Sequence, residues 1–486
     1  MPGITLLGLG PGDPKLLTRE AWAVLSGASE VYLRTRRHPT VAGFPTGITI
    51  HSFDDLYERG ESFEKVYEAI VTRVLELGRR PQGVIYAVPG HPFIAEATGP
   101  EIARRARDEG LSFRLVEGLS FLEPVFSALG VDPYPHTALV DALELSMAHV
   151  PPFPPDVPAL IAQIDSRLVA AEVKMTLGAL YPDEHPVRLV HAAGTSEERV
   201  EDLSLYEIDR SEHIGFLTCL YLPPLGEGTS FEAFQEIVAH LRAPDGCPWD
   251  RQQTHQSLRT HLLEEAYEAL TAIDREDEAA MREEFGDLLL QIVLQAQIAG
   301  EEGAFTMSDV LRDIHAKIVR RHPHVFGDLE VKDVDRVLLN WEKLKEAERE
   351  ANGEAAEKGL LDGVPLALPA LTQAQEYQAR AARVGFDWPE IGGVLEKIAE
   401  EIREVQQAED GDALAAEIGD LLFALVNLAR WKGVDAESAL REANARFKAR
   451  FAYIERGAQQ QGKRLSDLTL DEMEALWQEA KRKPGS

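Results

Sequence analysis

His261-Leu262-Leu263-Glu264-Glu265-Ala266-Tyr267-Glu268 is followed shortly by Glu284-Phe285-Gly286-Asp287. Further on, Lys397-Ile398-Ala399-Glu400-Glu401-Ile402-Arg403-Glu404 is followed by Glu417-Ile418-Gly419-Asp420. Each copy reads EExxE, a short gap, then ExxD. At roughly 100° per residue, Glu264, Glu265 and Glu268 share one arc of a helix. Leu262, Ala266 and Leu270 fall on the opposite side. The second copy sets Glu400, Glu401 and Glu404 against Ile398, Ile402 and Val405. Both segments are therefore predicted as helices with one apolar face for packing and one carboxylate face. The ExxD pair, at i and i+3, adds two acids to one side of a partner helix. Its flanks, Leu288-Leu289-Leu290 and Leu421-Leu422-Phe423, are apolar and predict acids lying beside a core. Five carboxylates in such a place repel one another unless a cation sits among them.

Working outward, the periodicity from Phe231 onward is almost entirely helical. Arg321-His322-Pro323-His324 interrupts it as a turn, and Glu346 to Gly363 reads as a helix end and linker. The second half is thus one helical unit written twice. The first half alternates strand and helix signals. Strands are predicted at 4–9, 30–33, 83–88, 112–116, 159–163, 187–192 and 215–220, with helices over 16–27 and near 99–109. That alternation predicts α/β architecture, and Pro223 to Gly228 reads as its exit linker. The expected domains are 1–225, 231–350 and 364–486. Three domains also suit a chain of 486 residues that is 44% hydrophobic.

The net charge of −32 argues against a nucleic-acid polymer as partner, since that needs a basic footprint, and it disfavours anionic membrane surfaces. Cys219 and Cys247, far apart and without metal-like spacing, suggest a reducing compartment. The N-terminus lacks a signal-like pattern, and the most apolar helical run, Leu288 to Gly300, is interrupted by Gln291, Gln295 and Gln297. A soluble cytoplasmic protein is expected.

An oxygen-only acidic set favours a hard cation, Mg²⁺ first and Mn²⁺ second. Downstream of the second set come Asn444, Arg446 and Arg450, then Trp477 and Lys481. Downstream of the first come Lys317 and Arg321, then Trp341 and Lys345. Basic groups beside a metal suit a polyphosphate, and tryptophan suits stacking on a base. The same residues also fit ordinary helix salt bridging and a core tryptophan.

With these sets stand Cys247-Pro248-Trp249-Asp250, Arg320 to Phe326 (RRHPHVF), Val384 to Trp388 (VGFDW) and Phe423 to Arg430 (FALVNLAR). Together they make the segment from about 231 to 486 resemble tandem MazG nucleotide pyrophosphohydrolases. The resemblance implies an all-α fold, assembly as a homodimer or higher oligomer, and Mg²⁺-dependent hydrolysis of nucleoside triphosphates to monophosphate and pyrophosphate. It implies that Glu401, Glu404, Glu417 and Asp420 hold the metal, as Glu265, Glu268, Glu284 and Asp287 would in the first copy. Glu400 or Glu264 would orient or deprotonate the attacking water. Lys397, Arg446, Arg450 and Lys481 would meet the phosphates, with Trp477 and Asn444 at base or ribose. Lys317, Arg321, Trp341 and Lys345 are the first copy's counterparts. The second copy is expected to grip phosphate better, because Lys397 stands where the first has His261.

Gly8 to Thr18 (GLGPGDPKLLT), Val88 to Pro92 (VPGHP), Glu117 to Phe121 (EGLSF) and Ala193-Gly194-Thr195 make the stretch to about residue 222 resemble the tetrapyrrole (corrin/porphyrin) methylases. That family implies two α/β lobes with S-adenosylmethionine in the cleft between them. Gly90, His91 and Ser120 are the cofactor-binding candidates. The sequence departs from the family at His91, where an acidic residue is usual. Two other readings stay open. One is a methyltransferase whose helical half serves oligomerisation, and the other is a nucleotide-sensing module without turnover.

Overall fold

The computed structural model describes residues 3–59, 62–327 and 359–482, with positions 329, 333, 336, 337 and 344. Trp341 and Lys345 lie outside the described residues. The chain forms two compact units, one through Arg251 and one from Gln252.

The first unit holds two five-stranded sheets. One contains β1 (Gly3–Gly8), β2 (Glu30–Leu33), β3 (Thr49–Ser52), β4 (Val84–Val88) and β5 (Ser112–Val116) in the order β3-β2-β4-β1-β5. All its pairings are parallel, with Ile4 opposite Val84 and Phe113. Parallel sheets are buried on both faces. Accordingly Leu6, Tyr86 and Val88 enter one core, while their neighbours Leu7 and Ala87 enter another. The second sheet contains β6 (Ala138–Asp141), β7 (Ala159–Ala162), β8 (Pro186–His191), β9 (Arg199–Ser204) and β10 (Thr218–Leu222) in the order β6-β7-β10-β8-β9. Only β6 and β7 pair in parallel there, and the other pairings are antiparallel.

Helices α1 (Arg19–Ser26), α2 (Asp54–Arg59), α3 (Phe63–Gly78), α4 (Thr98–Asp108), α5 (Leu122–Leu129), α6 (Ala142–Ser146) and α7 (Arg167–Leu177) connect these strands. The helix expected over 16–27 starts later, at Arg19, because Thr18 caps it by accepting from the Ala21 amide. After β10, Leu225 N donates to Pro155 O at 2.7 Å and Ser230 Oγ donates to Asp156 Oδ2 at 2.6 Å. The stretch read as an exit linker is therefore tied to the unit it leaves. Helices α8 (Phe231–Arg242) and α9 (Pro248–Gln252) follow.

The second unit is helical: α10 (Arg259–Asp274), α11 (Glu278–Glu301), α12 (Met307–Arg321), α13 (Pro323–Phe326), α14 (Ala370–Arg383), α15 (Ile391–Gln407), α16 (Gly411–Trp431), α17 (Ala436–Gln460) and α18 (Leu470–Lys481). Helix α10 packs along α11, and α15 packs along α16. Asp277 and Asp410 cap the second helix of each pair, accepting from the Ala280 and Ala413 amides. The acidic motifs thus stand on paired helices, but the apolar faces differ from expectation. Leu262, Leu270 and Ile402 are exposed, as are Leu289 and Leu422 beside the ExxD acids. Each helix pair packs mainly on itself, and buried side chains gather in the later half of α11, at Val293, Leu294, Ala296 and Ile298. The two copies meet where Arg441 Nη2 on α17 donates to Asp274 Oδ2 on α10 at 2.5 Å, with the guanidinium 6.0 Å from the Tyr267 ring centre. Among the described residues no helix is long and apolar enough to cross a membrane.

Candidate active site and metal centre

In the first copy, Glu265 and Glu268 of α10 and Glu284 of α11 each place a carboxylate oxygen within 4.8 Å of the others. Partial burial raises the Glu265 carboxyl above its ordinary value, and the charges of Asp287, Glu268, Glu284 and Glu264 add to that. Burial, Glu268, Glu283 and Asp287 raise Glu284 in the same direction. The Asp287 charge therefore acts on the set although Asp287 is not part of the tightest triad. Glu264 points elsewhere, toward His261 Nδ1 at 3.4 Å.

In the second copy, Glu401 of α15 meets Glu417 and Asp420 of α16 within the same 4.8 Å. Here α16 gives two members and α15 gives one. Glu401 is only 3% exposed. Its Oε1 takes the Lys397 ammonium at 2.6 Å, while its buried Oε2 has no hydrogen-bond partner among the described residues. Lys397 also reaches Glu400 Oε1 at 2.9 Å. These two hydrogen bonds, Glu401 first, hold the ammonium above its usual pKa. Glu404 is raised by burial and by Glu401, against the opposing pull of Lys397.

Both triads fit a hard divalent cation. The donors are all carboxylate oxygens, they converge, and in the first triad the carboxyls of Glu265 and Glu284 are driven toward protonation by burial and by their acidic neighbours. The orphaned Oε2 of Glu401 is a strong sign, since buried polar atoms seldom lack a partner.

The downstream basic residues form a different group. The Arg450 guanidinium lies 5.6 Å and the Lys481 ammonium 6.0 Å from the Trp477 ring centre. Phe447 approaches the same ring at 5.4 Å. Trp477 also packs against the small core of Ile454, Ala458 and Leu468, so the core-tryptophan reading and the cationic one describe the same side chain. Arg446 pairs with Glu442 on its own helix at 3.0 Å, and Asn444 and Lys317 are exposed. Arg321 is half-buried at the end of α12.

In the first unit, strand ends meet with almost no room for side chains. A Cβ on Gly8 would lie 2.6 Å from both Gly118 N and Gly90 O. Gly90, at φ 67°, exchanges backbone hydrogen bonds with Gly10. His91 Nδ1 accepts from Phe93 N at 3.1 Å. Ser120 is buried and committed locally: it donates to Glu123 at 2.5 Å and accepts from Leu122 N at 3.0 Å. Across the lobes, Asp13 N donates to Gly194 O at 3.1 Å.

Sequence reasoning missed two charged groups. Arg34, just past β2, pairs with Glu96, whose side chain is 1% exposed. Arg34 Nε also donates to Tyr57 at 2.9 Å and Nη2 to Tyr67 at 3.2 Å. An arginine at the buried end of a parallel strand was the available signal. Arg441 carried a fainter one: it lies five residues before Arg446, as Arg312 lies five before Lys317.

Residues 253–326 and 390–453 match the MazG nucleotide pyrophosphohydrolase domain, and those spans contain both triads. A nucleoside triphosphate pyrophosphohydrolase/pyrophosphatase MazG from Thermotoga maritima is 44% identical over 52% of this chain and 96% of its own length. The chain belongs to the MazG family. A second MazG-type relative, the nucleoside triphosphate pyrophosphohydrolase of Escherichia coli strain K12, is 46% identical over 51% of the chain and 95% of that protein. The MazG repeats are joined to a unit whose residues 3–209 match the tetrapyrrole (corrin/porphyrin) methylases. This whole arrangement is shared with YabN of Bacillus subtilis, 43% identical over 98% of both chains.

Proposed function

We propose that the helical half hydrolyses nucleoside triphosphates at the α–β anhydride bond, giving monophosphate and pyrophosphate, with Mg²⁺ as cofactor and Mn²⁺ as a substitute. The observation that carries this reading is the pair of convergent carboxylate triads, one with a buried, unmatched oxygen. Glu401, Glu404, Glu417 and Asp420 would hold the ion in the second copy, and Glu265, Glu268, Glu284 and Asp287 in the first. The ion, when bound, neutralises charge on the phosphates. Glu400, or Glu264, would orient water and accept its proton. Lys397, Arg446, Arg450 and Lys481 would meet the phosphates, with Trp477 and Asn444 toward the nucleoside. Lys317, Arg321, Trp341 and Lys345 would serve the first copy.

The division into 1–225, 231–350 and 364–486 belongs to the proposal, as does a cytoplasmic setting. So does homo-oligomerisation, supported by the exposed Leu262, Phe285, Ile402 and Phe423. S-adenosylmethionine is the proposed ligand of the first unit, supported by the glycine-lined strand ends and the family match.

The test is pyrophosphate release from a panel of nucleoside triphosphates with Mg²⁺. Release that disappears in a Glu401→Gln, Glu404→Gln, Glu265→Gln, Glu268→Gln variant is expected. Release from the intact protein no greater than from that variant would sink the hydrolase reading.

A further inference from the structure

The two acidic sets differ in what already stands among them. On α15, Lys397 lies one turn before Glu401 and puts its ammonium 2.6 Å from Glu401 Oε1 and 2.9 Å from Glu400 Oε1. Glu401 belongs to the triad and is nearly fully buried. The residue in register on α10 is His261, which faces Glu264, outside the triad of Glu265, Glu268 and Glu284. One set thus has a lysine bonded to a triad carboxylate, and the other has an imidazole beside a flanking acid.

We propose that the Lys397 ammonium is the resident cation of the second acidic set, and that a divalent ion entering at the unpartnered Glu401 Oε2 drives it off Oε1. The inference rests on the metal reading above. A hard divalent ion needs carboxylate lone pairs at about 2.0–2.6 Å; Glu401 Oε2 offers them, while the ammonium held on Oε1 of the same carboxylate repels an ion there. Displacement costs the second repeat metal affinity. It also releases a flexible, half-exposed lysine beside the ion, where an anionic phosphate oxygen is its natural partner. Metal entry and delivery of a phosphate-binding cation become one event in the second repeat, whereas the first repeat lacks a lysine at this position.

The experiment is calorimetric titration of the full chain with Mn²⁺ alone, then with inorganic pyrophosphate with and without Mn²⁺. Two classes of metal site are expected, the weaker belonging to the second repeat. Lys397→Gln should tighten that class by about fivefold, the effect of removing one unit charge at contact distance in a wet site, and leave the other class alone. His261→Lys should weaken the first repeat's class in turn. With Mn²⁺ present, Lys397→Gln should bind pyrophosphate less tightly than the unmodified protein, and without Mn²⁺ the two should match. Opposite shifts for metal and anion separate this device from a general loss of structure, which would weaken both. Lys397→Gln leaving both metal classes within about twofold, or tightening both alike, overturns the inference while the metal reading stands. No Mn²⁺ binding by the unmodified protein overturns both.

Discussion

Replacing Glu96 by glutamine keeps its shape and removes its charge. The carboxylate is buried, bonded to Arg34, and accepts from Thr98 N at 3.0 Å and Thr98 Oγ1 at 2.5 Å. Burial alone would pull the Arg34 guanidinium down, yet Glu96 and Tyr57 hold it well above its ordinary pKa. After the change that guanidinium stays charged and faces an amide. Removing one member of a buried pair costs about 3–5 kcal/mol, and the 20% exposure of Arg34 places the cost near 3 kcal/mol. Native-state hydrogen exchange reads this locally. Slow amides in β1 and β4 should exchange about 150-fold faster, the equivalent of about 3 kcal/mol in opening free energy. Adding Arg34→Met to Glu96→Gln should cost less than about 1 kcal/mol more, because the stranded charge is gone. Exchange within about fivefold of the unmodified protein would refute the argument, since it would mean that the pair contributes no more than a surface contact.

Glu265, Glu284 and Glu404 have carboxyls raised above 4.5, so the stability they give to the protonated form is lost as pH rises through those raised values. Millimolar Mg²⁺ should therefore stabilise the helical unit more at neutral pH than near pH ~5; at neutral pH a hundredfold excess over Kd gives about 2.7 kcal/mol per site in all. Calorimetric scans with Mg²⁺ and with chelator check this, and an increment that shrinks as pH rises would contradict it. Gly8→Ala should cost about 2 kcal/mol or more in urea unfolding, because its Cβ would lie 2.6 Å from backbone atoms of two neighbouring strand ends. A double-mutant cycle on Arg441 and Asp274 should give a coupling of about 1 kcal/mol between the repeats, and additive effects would mean that their contact is incidental.

The central strands were legible because parallel strands buried on both faces read as apolar runs, as in Ile4-Thr5-Leu6-Leu7 and Val84-Ile85-Tyr86-Ala87-Val88. The strands that escaped notice, β3, β6 and β9, are sheet edges. Edge strands need only one apolar neighbour, so Arg199-Val200-Glu201-Asp202-Leu203-Ser204 carries no such run. The antiparallel pairing of β10 was likewise invisible, because apolar content does not encode direction. At the acidic sets, helical period located the carboxylate arcs. Which three oxygens converge depends on rotamers and on Lys397, and those differ between copies whose motifs read alike.

The hydrogen bond from Asp13 to Gly194 does not stand alone. A Cβ on Gly12 would lie 2.6 Å from Thr195 Cγ2, and one on Gly194 would lie 2.9 Å from Pro11 Cγ. The two lobes of the first unit are thus stitched at this seam by backbone and by side chains already in contact. The two sheets can part there only by breaking that hydrogen bond or by swinging about it, as a book turns on its spine.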